Sequence, residues 1–351
     1  MNRLDKLRSK FPQKADALLI TDELNVRYLS GVDFTDGFLL ITKAKAYLFA
    51  DGRYIEIAKR DAGKDFEVVL LDKKRTEHIK NVLGDKATVF YEDGSTTCAQ
   101  LSAYLKGTEN TVFLPAGAIV EELRNVKDEG EKQNIIKAQR IAEKAFEHIL
   151  GFISPDVTER DVALELEYFM RKNGADGIAF DTIAVSGSAS SLPHGVPRNV
   201  KLQKGFLTMD FGAKFNGYCS DMTRTVCIGK PNDEMKKVYD TVLLAQKAAL
   251  EYIGVGKKCS DADKVARDII AKVGYGKCFS HSLGHGVGLY IHEGISLSPR
   301  SQGTLAKGNV VTVEPGIYLE GRFGVRIEDM VYVTESGCEN LTKAKKELII
   351  L

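Results

Sequence analysis

Three of the chain's six histidines lie in one glycine-rich segment of twelve residues, positions 281–292. His285 stands in the middle of this segment with a glycine on each side, whereas His78 and His148 lie in charged helical patterns and are expected at the surface. A buried helix avoids this much glycine, because each glycine costs about 1 kcal/mol relative to alanine. Glycine instead allows the backbone to approach a ligand, a metal ion or another strand closely. The segment therefore favours a binding or catalytic site over a stretch of core helix.

Length and charge narrow the kinds of protein and partner to consider. The chain has 351 residues, which exceeds what one hydrophobic core usually supports, so two domains are expected. Its formal net charge is +1, and no segment is rich enough in lysine and arginine to form a basic patch. We therefore expect no nucleic acid among its partners.

Hydropathy and cysteine usage bear on the cellular compartment. No apolar run approaches the ~18 residues that a transmembrane helix requires, and residues 1–10 lack the apolar core of a secretory signal. The six cysteines include no CxxC pair, which is typical of free thiols in a reducing compartment. These observations predict a cytoplasmic protein with no membrane partner.

A change in sequence pattern near residue 127 predicts the boundary between two domains, residues 1–126 and residues 127–351. The first part alternates short apolar runs with helical patterns, which indicates an α/β domain. Its predicted strands are residues 17–20, 37–42, 46–50, 67–71 and 88–91, and its predicted helices lie near 76–82 and 97–105. The second part opens with a long charged helix from residue 128, which is expected to end at Gly151.

A pair of helices recurs in the second domain and predicts two similar halves. Each pair consists of a long helix closed by a glycine, Gly151 or Gly254, and a shorter helix with a capping pattern. The shorter helices are expected to start at Thr158 and Ser260, so the units are offset by 102 residues at the caps and 103 at the glycines. Strand-rich sequence follows each pair. The pattern predicts an α+β domain with pseudo-two-fold halves that enclose a site.

Two aspartates flank a predicted hairpin in the first half. Asn216-Gly217 favours the positive φ values that tight hairpin turns require. With the hairpin centred between Phe215 and Asn216, Asp210 pairs directly with Asp221 and their Cβ atoms lie ~5 Å apart. Carboxylates this close repel each other unless one is protonated or a cation lies between them.

Two glutamates form a second acidic pair in the other half. Glu314 follows the apolar run of residues 310–313, and Glu328 alternates with Arg326 on one face of a strand. A carboxylate at the end of a buried strand is unfavourable unless it is paired or bound to a metal ion. With His285, the four carboxylates make an oxygen-rich set that suits Mn²⁺, Co²⁺ or Fe²⁺. A structural zinc site would instead be expected to consist of cysteine and histidine ligands.

Four segments together resemble the motifs of a known family. They are similar to the blocks of the pita-bread metallopeptidase family and follow one another along the chain in that family's order. The four segments are residues 217–225, 281–293, 313–318 and 325–329. Within this family they resemble the proline peptidases, which are the Xaa-Pro dipeptidases (prolidases) and the Xaa-Pro aminopeptidases (aminopeptidase P). The resemblance implies a pita-bread catalytic domain, a hydrolase acting on Xaa-Pro di- or oligopeptides, and a homodimer.

The resemblance also implies a metal-binding role for the acidic residues. Two divalent ions per protomer are implied, with Mn²⁺ or Co²⁺ favoured and Fe²⁺ or Zn²⁺ as alternatives. One ion is bound by Asp210, the other by His285 and Glu314, and both are bridged by Asp221 and Glu328. The ions activate a water molecule for attack on the scissile carbonyl, and Glu314 passes its proton to the proline nitrogen.

The groups implied to contact the substrate are histidines and arginines. His194 and His292 match the family's two substrate-side histidines, which stabilise the oxyanion. His281 matches a third histidine of the pocket, and Arg326 is implied on the substrate side as a partner of the bridging carboxylate. Arg300 matches an arginine that binds a substrate carboxylate, although a solvated loop arginine is an equally good interpretation.

Several functions remain open at this point. A methionine-aminopeptidase-like peptidase shares the ligand chemistry, and a creatinase-like amidinohydrolase shares the fold without metals. A catalytically silent pita-bread module that binds peptides is a further alternative. The sequence also leaves open whether the enzyme is a dipeptidase or an aminopeptidase, because loops decide whether chain beyond the proline is admitted.

Overall fold

The computed structural model describes residues 2–351, which fold into two compact units. The first unit ends at Arg124 and the second begins at Asn125. Each unit has its own sheets and its own hydrophobic core. Among the described residues, no helix is both long and apolar enough to cross a lipid bilayer.

The first unit is an α/β domain built on one mixed sheet, as predicted. Its strands are β1 (Ala17–Ile20), β2 (Gly37–Thr42), β3 (Ala46–Ala50), β4 (Phe66–Leu70), β5 (Thr88–Tyr91) and β6 (Val112–Pro115). Its helices are α1 (Arg3–Ser9), α2 (Glu23–Ser30), α3 (Ile55–Asp61), α4 (Arg75–Leu83), α5 (Cys98–Gly107) and α6 (Ile119–Arg124). The strand order is β4-β3-β2-β1-β5-β6, antiparallel for β1–β2 and β2–β3 and parallel elsewhere.

One histidine of the first unit is buried, contrary to the expectation from sequence. His78 lies on α4 and is only 6% exposed. Its ring centroid is 5.1 Å from that of Phe49 on β3. The helix turns this residue toward the sheet, which its charged neighbours Glu77 and Lys80 concealed in the sequence.

The second unit is an α+β domain. Its helices are α7 (Glu129–Phe152), α8 (Glu159–Lys172), α9 (Asp233–Tyr252) and α10 (Cys259–Lys272), with short 3-10 helices at Gly187–Ser191 and Gly276–Cys278. Its strands are β7 (Gly177–Ile178), β8 (Ile183–Ser186), β9 (Gly205–Phe211), β10 (Ala213–Phe215), β11 (Tyr218–Cys219), β12 (Met222–Ile228), β13 (Gly284–Gly286), β14 (Glu293–Leu297), β15 (Val310–Val313), β16 (Gly316–Leu319), β17 (Phe323–Arg326), β18 (Asp329–Thr334) and β19 (Gly337–Asn340). The sheet orders are β11-β10-β7, β12-β9-β8, β14-β13-β15-β18-β19 and β16-β17.

Two matching halves make up this second unit. In the first half α7 and α8 pack against β8, β9 and β12, and in the second α9 and α10 pack against β15 and β18. α8 and α10 are each 14 residues long and start at positions 159 and 259, an offset of 100 residues. Each follows an isolated bridge, formed by Thr158 with Lys201 and by Lys258 with Thr304. The prediction of pseudo-two-fold halves is confirmed.

The predicted offset of 102 or 103 residues was wrong. Lys258 occupies the N-cap of α10, so Ser260 lies inside the helix and does not cap it. Asp263, the other half of the expected cap, accepts hydrogen bonds from Arg267 instead. The helix α7 also continues through Gly151, because a single glycine weakens a long packed helix without ending it.

The hairpin between the two aspartates forms with a different register. Residues 216 and 217 both have positive φ, 48° and 76°, and are the two central residues of the turn. The turn is therefore centred one residue later than predicted, and Asp210 pairs with Thr223 rather than with Asp221. Moving the centre by one residue shifts the pairing by two, and side chains alternate with a period of two. Asp210 and Asp221 consequently remain on one face, in diagonal rather than direct opposition.

A buried carboxylate at the start of α8 ties this helix to the loop of residues 192–200. The side chain of Glu159 is fully buried and accepts hydrogen bonds from Ser186 and from Arg198. Burial alone would raise the pKa of Glu159, but these hydrogen bonds bring the pKa below its ordinary value. The folded state therefore keeps Glu159 ionised at a pH where the unfolded chain binds a proton.

We expect Glu159→Gln to lower the free energy of unfolding by about 2 kcal/mol at neutral pH, because hydrogen bonds to a charged group are lost. The contribution of Glu159 is present above its unfolded-state pKa and is lost as the pH falls through the lower folded-state pKa. The difference from wild type should thus shrink as the pH falls below about 4.3, the ordinary pKa of a glutamate in an unfolded chain, measured by denaturant unfolding. Glu167→Gln on the same helix is the control, and a difference that does not change with pH would contradict the prediction.

Candidate metal centre

A cavity of about 580 Å³ in the second unit gathers most of the residues selected from the sequence. Those that line it are His194, Asp210, Asp221, His281, His285, His292, Glu314, Arg326 and Glu328. Phe180, Ile183, Val196 and Ile291 add an apolar part to its wall. The volume is within the range of sites that bind small molecules.

The ligand candidates come from both halves of the second unit. β9 carries Asp210, and the short segment between β11 and β12 carries Asp221. In the second half, His285 lies on β13, Glu314 directly follows β15, and Glu328 lies between β17 and β18. Each half therefore contributes part of the set.

His285 is the centre of the acidic cluster. Its Nε2 atom lies 3.5 Å from Asp221 Oδ2 and 3.4 Å from Glu314 Oε1, and its Nδ1 atom lies 3.1 Å from Gly286 O. One ligand atom each from Asp221, His285 and Glu328 lie within 4.8 Å of one another. Burial, and then the neighbouring His292, lower the pKa of His285 to about 4. The imidazole is therefore neutral near pH 7, which is the form that binds metal ions.

Close packing of the carboxylates changes their acidity. Burial raises the pKa of Asp221 and of Glu328 well above their ordinary values, and the neighbouring carboxylates raise both further. Burial, with a contribution from Asp210 and against the opposing effect of Arg326, raises the pKa of Glu314 to about 8. Without a cation the carboxyl groups therefore favour their protonated forms, because ionising all of them would place like charges side by side.

A divalent cation fits this group of residues. Asp210 Oδ1 is buried and has no hydrogen-bond partner among residues 2–351. A cation between the carboxylates would remove their mutual repulsion and occupy that oxygen. Carboxylates with one neutral imidazole form a ligand set that Mn²⁺, Co²⁺ and Fe²⁺ accept.

Arg326 supports a different carboxylate from the one expected. Its Nη2 atom lies 2.6 Å from Asp210 Oδ2, and the guanidinium contacts Glu328 only through Thr223. Thr223 Oγ1 accepts from Arg326 Nε at 3.0 Å and donates to Glu328 Oε2 at 2.7 Å. The remaining donor, Nη1, bonds to Tyr318 and to the Pro193 carbonyl. Four of the five guanidinium N–H groups therefore donate to protein atoms, and the ion pair fixes the position of Asp210. Contact of Arg326 with a substrate stays a prediction.

His281 is also engaged by the protein on both ring nitrogens. Nδ1 lies 2.8 Å from the Ser282 carbonyl and must donate to it, so Nε2 accepts from the Tyr318 hydroxyl, also at 2.8 Å. The same hydroxyl accepts from Arg326. Burial, and then the charge of Arg326, lower the pKa of His281 to about 4. The neutral ring lines the cavity with its hydrogen-bonding capacity already used.

His194 and His292 lie on the open side of the cluster. Both side chains are exposed and line the cavity, His194 from the loop after β8 and His292 from the segment between β13 and β14. The ring centroids of His285 and His292 are 4.2 Å apart, with an interplanar angle of 71°. Burial, and then the neighbouring His194, lower the pKa of His292. The two histidines are placed to contact a molecule that enters the cavity.

Arg300 lies apart from the other residues selected from the sequence. It is exposed in the turn after β14 and is not among the residues that line the cavity. The Ser298 and Ser301 side chains hydrogen-bond at 2.9 Å and close this turn at the surface. The interpretation as a solvated loop arginine is the one that agrees with this position.

Two residues of the site were missed in the sequence. Tyr318 connects His281 with Arg326, and Thr223 connects Arg326 with Glu328. Alternation along β12 and β16 was the available signal, since it places every second side chain on the face of the neighbouring ligands. Neither residue is charged, so the sequence did not mark either one as a candidate metal ligand.

Comparison with known proteins agrees with this geometry. Residues 133–335 match Metallopeptidase family M24, and residues 3–126 match the Creatinase/Prolidase N-terminal domain. An Xaa-Pro dipeptidase of Pyrococcus horikoshii is 39% identical over 336 residues, which are 95% of this chain and 94% of the relative.

Solved structures are similar over the whole length. The Xaa-Pro dipeptidase from Bacillus anthracis has a TM-score of 0.96 at 42% identity and covers 99% of both chains. The X-Pro aminopeptidase from Thermotoga maritima has a TM-score of 0.92 at 38% identity and covers 100% of both. Together with the matched domains, these similarities confirm the resemblance inferred from the four motifs. The chain therefore belongs to metallopeptidase family M24, as a hydrolase with a pita-bread catalytic domain and a creatinase/prolidase N-terminal domain.

Proposed function

We propose that this protein hydrolyses the peptide bond between an N-terminal residue and a proline, using two divalent metal ions. The observation that supports this best is the convergence of four carboxylates and His285 at one end of a cavity with histidines on its open side. Relatives named Xaa-Pro dipeptidase and X-Pro aminopeptidase, similar over nearly the whole chain, support the same substrate class.

The proposed ligands divide between the ions as the family resemblance implies. Asp210 would hold one ion, His285 and Glu314 would hold the other, and Asp221 and Glu328 would contribute to both; all five residues line the cavity. The oxygen-rich set favours Mn²⁺ or Co²⁺, with Fe²⁺ and Zn²⁺ as alternatives. Bound there, the ions would supply a Lewis acid for the scissile carbonyl and lower the pKa of a water molecule.

The protein's own groups would hold the substrate and move protons. Glu314 follows β15 at the edge of the cavity and carries a proton toward the departing proline nitrogen. His194 and His292 donate hydrogen bonds to the carbonyl oxygen as it becomes an oxyanion. Arg326 holds Asp210 in place through their 2.6 Å ion pair.

The apolar part of the cavity wall suits the proline ring. Phe180, Ile183, Val196 and Ile291 line the cavity beside the histidines. A pyrrolidine ring has no N–H donor once acylated, and apolar contact is the main means of recognising it. A cytoplasmic location and a homodimer stay predictions of the same proposal.

Hydrolysis of Gly-Pro, the tripeptide Gly-Pro-Gly, Gly-Ala and Met-Ala-Ser by metal-loaded protein tests the proposal. We expect kcat/KM for the better cleaved of the two Xaa-Pro peptides to exceed that for Gly-Ala by about tenfold to a hundredfold, because the apolar wall recognises the ring. A preference for Gly-Pro would indicate a dipeptidase, and a preference for Gly-Pro-Gly would indicate an aminopeptidase.

Two outcomes would contradict the proposal. Turnover of Met-Ala-Ser without turnover of either proline peptide would indicate a methionine aminopeptidase. Binding of peptides without turnover, in protein that holds no metal after incubation with Mn²⁺ or Co²⁺, would indicate a silent binding module.

A further inference from the structure

His292 depends on its backbone for its position. Its ring has contacts with the rings of His285 and Tyr290, but no hydrogen bond within residues 2–351. The side chain is exposed, whereas the residues on either side of it, Ile291 and Glu293, are buried. The fold of the turn of residues 286–293 therefore sets the position from which the imidazole extends, and the ring contacts with His285 and Tyr290 limit where it can lie.

The buried Glu293 carboxylate stabilises this turn by contacts with its backbone. Its Oε1 atom accepts a hydrogen bond from the Tyr290 N–H at 3.1 Å, three residues back along the chain. It also lies directly against Gly288, where an added Cβ would be only 2.2 Å from Oε2. Gly288 is held from the other side, since its carbonyl accepts from the Cys219 N–H at 2.8 Å. The turn is therefore held by the Glu293 carboxylate and by the hydrogen bond from the backbone of β11.

Lys127 neutralises Glu293 in the interior. Its Nζ atom lies 3.1 Å from Glu293 Oε2, and the two side chains are 2% and 5% exposed. The backbone of Lys127 is fixed in turn, because its N–H donates to the Gly308 carbonyl at 2.8 Å. A buried ion pair is often no more stable than apolar residues of similar size, so the pair is weak evidence for a purely stabilising role.

We propose that Lys127 and Glu293 are positioning residues for His292, building on the proposed peptidase function. Lys127 holds the Glu293 carboxylate, the carboxylate holds the Tyr290 amide, and the closed turn places the His292 ring beside His285. Neither Lys127 nor Glu293 is among the residues that line the cavity. The effect of the Lys127–Glu293 pair on the reaction is indirect, because the pair sets the position of His292.

Lys127→Met and Glu293→Gln test the role in metal-loaded full-length protein with Gly-Pro as substrate. We expect kcat to fall by about tenfold to a hundredfold with KM nearly unchanged, since a small displacement of a catalytic group has effects of this size. Bound metal per protomer should stay at the wild-type level. Lys127→Met combined with His292→Ala should lower kcat by less than about twofold beyond His292→Ala alone, because the pair acts through that ring.

Hydrogen exchange supplies a measurement that needs no substrate. The Tyr290 amide should exchange about tenfold faster in either variant, because its acceptor is released or displaced. Lys132→Met is the matched control, since Lys132 pairs with Glu339 at 2.6 Å in the same unit and lies outside the cavity wall. It should leave both kcat and Tyr290 exchange unchanged. If a single variant does not fold, Lys127→Met with Glu293→Gln leaves no unpaired buried charge and is measured in its place.

Several results would overturn the proposal. Unchanged kcat in both variants would do so, as would loss of metal, or an effect of Lys127→Met that multiplies fully with that of His292→Ala. Unchanged Tyr290 exchange would refute the hold on the turn even if kcat fell. Wild-type protein that cleaves no Xaa-Pro peptide would refute the proposed function alone, because the exchange experiment would still decide whether the pair fixes the turn.

Discussion

Asp221→Asn is expected to remove most of the bound metal and with it nearly all peptidase activity. Asp221 is proposed to bind both ions, so its loss weakens two sites at once, whereas a terminal ligand serves one. The carboxylate is 5% exposed and lies 3.5 Å from His285 Nε2, within the proposed ligand set. Metal per protomer, measured by mass spectrometry on protein purified without chelator, checks the expectation.

Asp240→Asn provides the comparison for this measurement. Asp240 is an exposed residue on α9 and does not line the cavity. Its replacement changes the net charge by the same amount and should leave metal content and turnover at wild-type values. Two ions per protomer in Asp221→Asn would refute the shared role of this carboxylate.

His292→Ala should keep its metal while turnover falls. The proposed hydrogen bond from His292 forms with the oxyanion and not with the ground-state carbonyl, so its loss affects kcat much more than KM. Removing one such donor typically lowers kcat by about 10²–10³-fold, equivalent to roughly 2.7–4 kcal/mol. Steady-state kinetics on Gly-Pro together with metal analysis of the same preparation give both quantities.

Substitutions of two other histidines serve as comparisons for this experiment. His148→Ala is the control, because His148 is partly exposed, pairs with Glu165 and stacks on Phe169 away from the cavity. His285→Ala should lose metal as well as activity, since His285 is a proposed ligand. Near-normal turnover in His292→Ala, or loss of metal from it, would show that the two adjacent rings are not divided between substrate and metal as proposed.

Much of the fold was predictable where one local pattern determines one element. β1 and β2 are buried along most of their length, and a short continuous apolar run is the pattern of such a strand. The hairpin register was not determined in this way. Asn-Gly indicates a tight turn, but the residues on which it is centred depend on which positions take positive φ, and here both do.

The site was predictable to the level of which residues converge but not which residues pair. Motifs identify candidates one segment at a time, whereas Arg326 reaches Asp210 across 116 positions and Lys127 reaches Glu293 across 166. Such contacts follow from how the halves of the second unit pack, and no periodicity records them. For this reason the expected partner of Arg326 was wrong, and the buried ion pair of Lys127 was not predicted.

The division of the ligand candidates between two halves has a consequence for unfolding. Asp210 and Asp221 belong to one half, whereas His285, Glu314 and Glu328 belong to the other. Ions held by this set join the halves as a reversible crosslink, and the folded state gains RT ln(1 + [M]/Kd) for each ion that the unfolded chain does not bind. Metal supply would then change the stability of the folded enzyme as well as its activity, and a protomer without metal would unfold at a lower temperature.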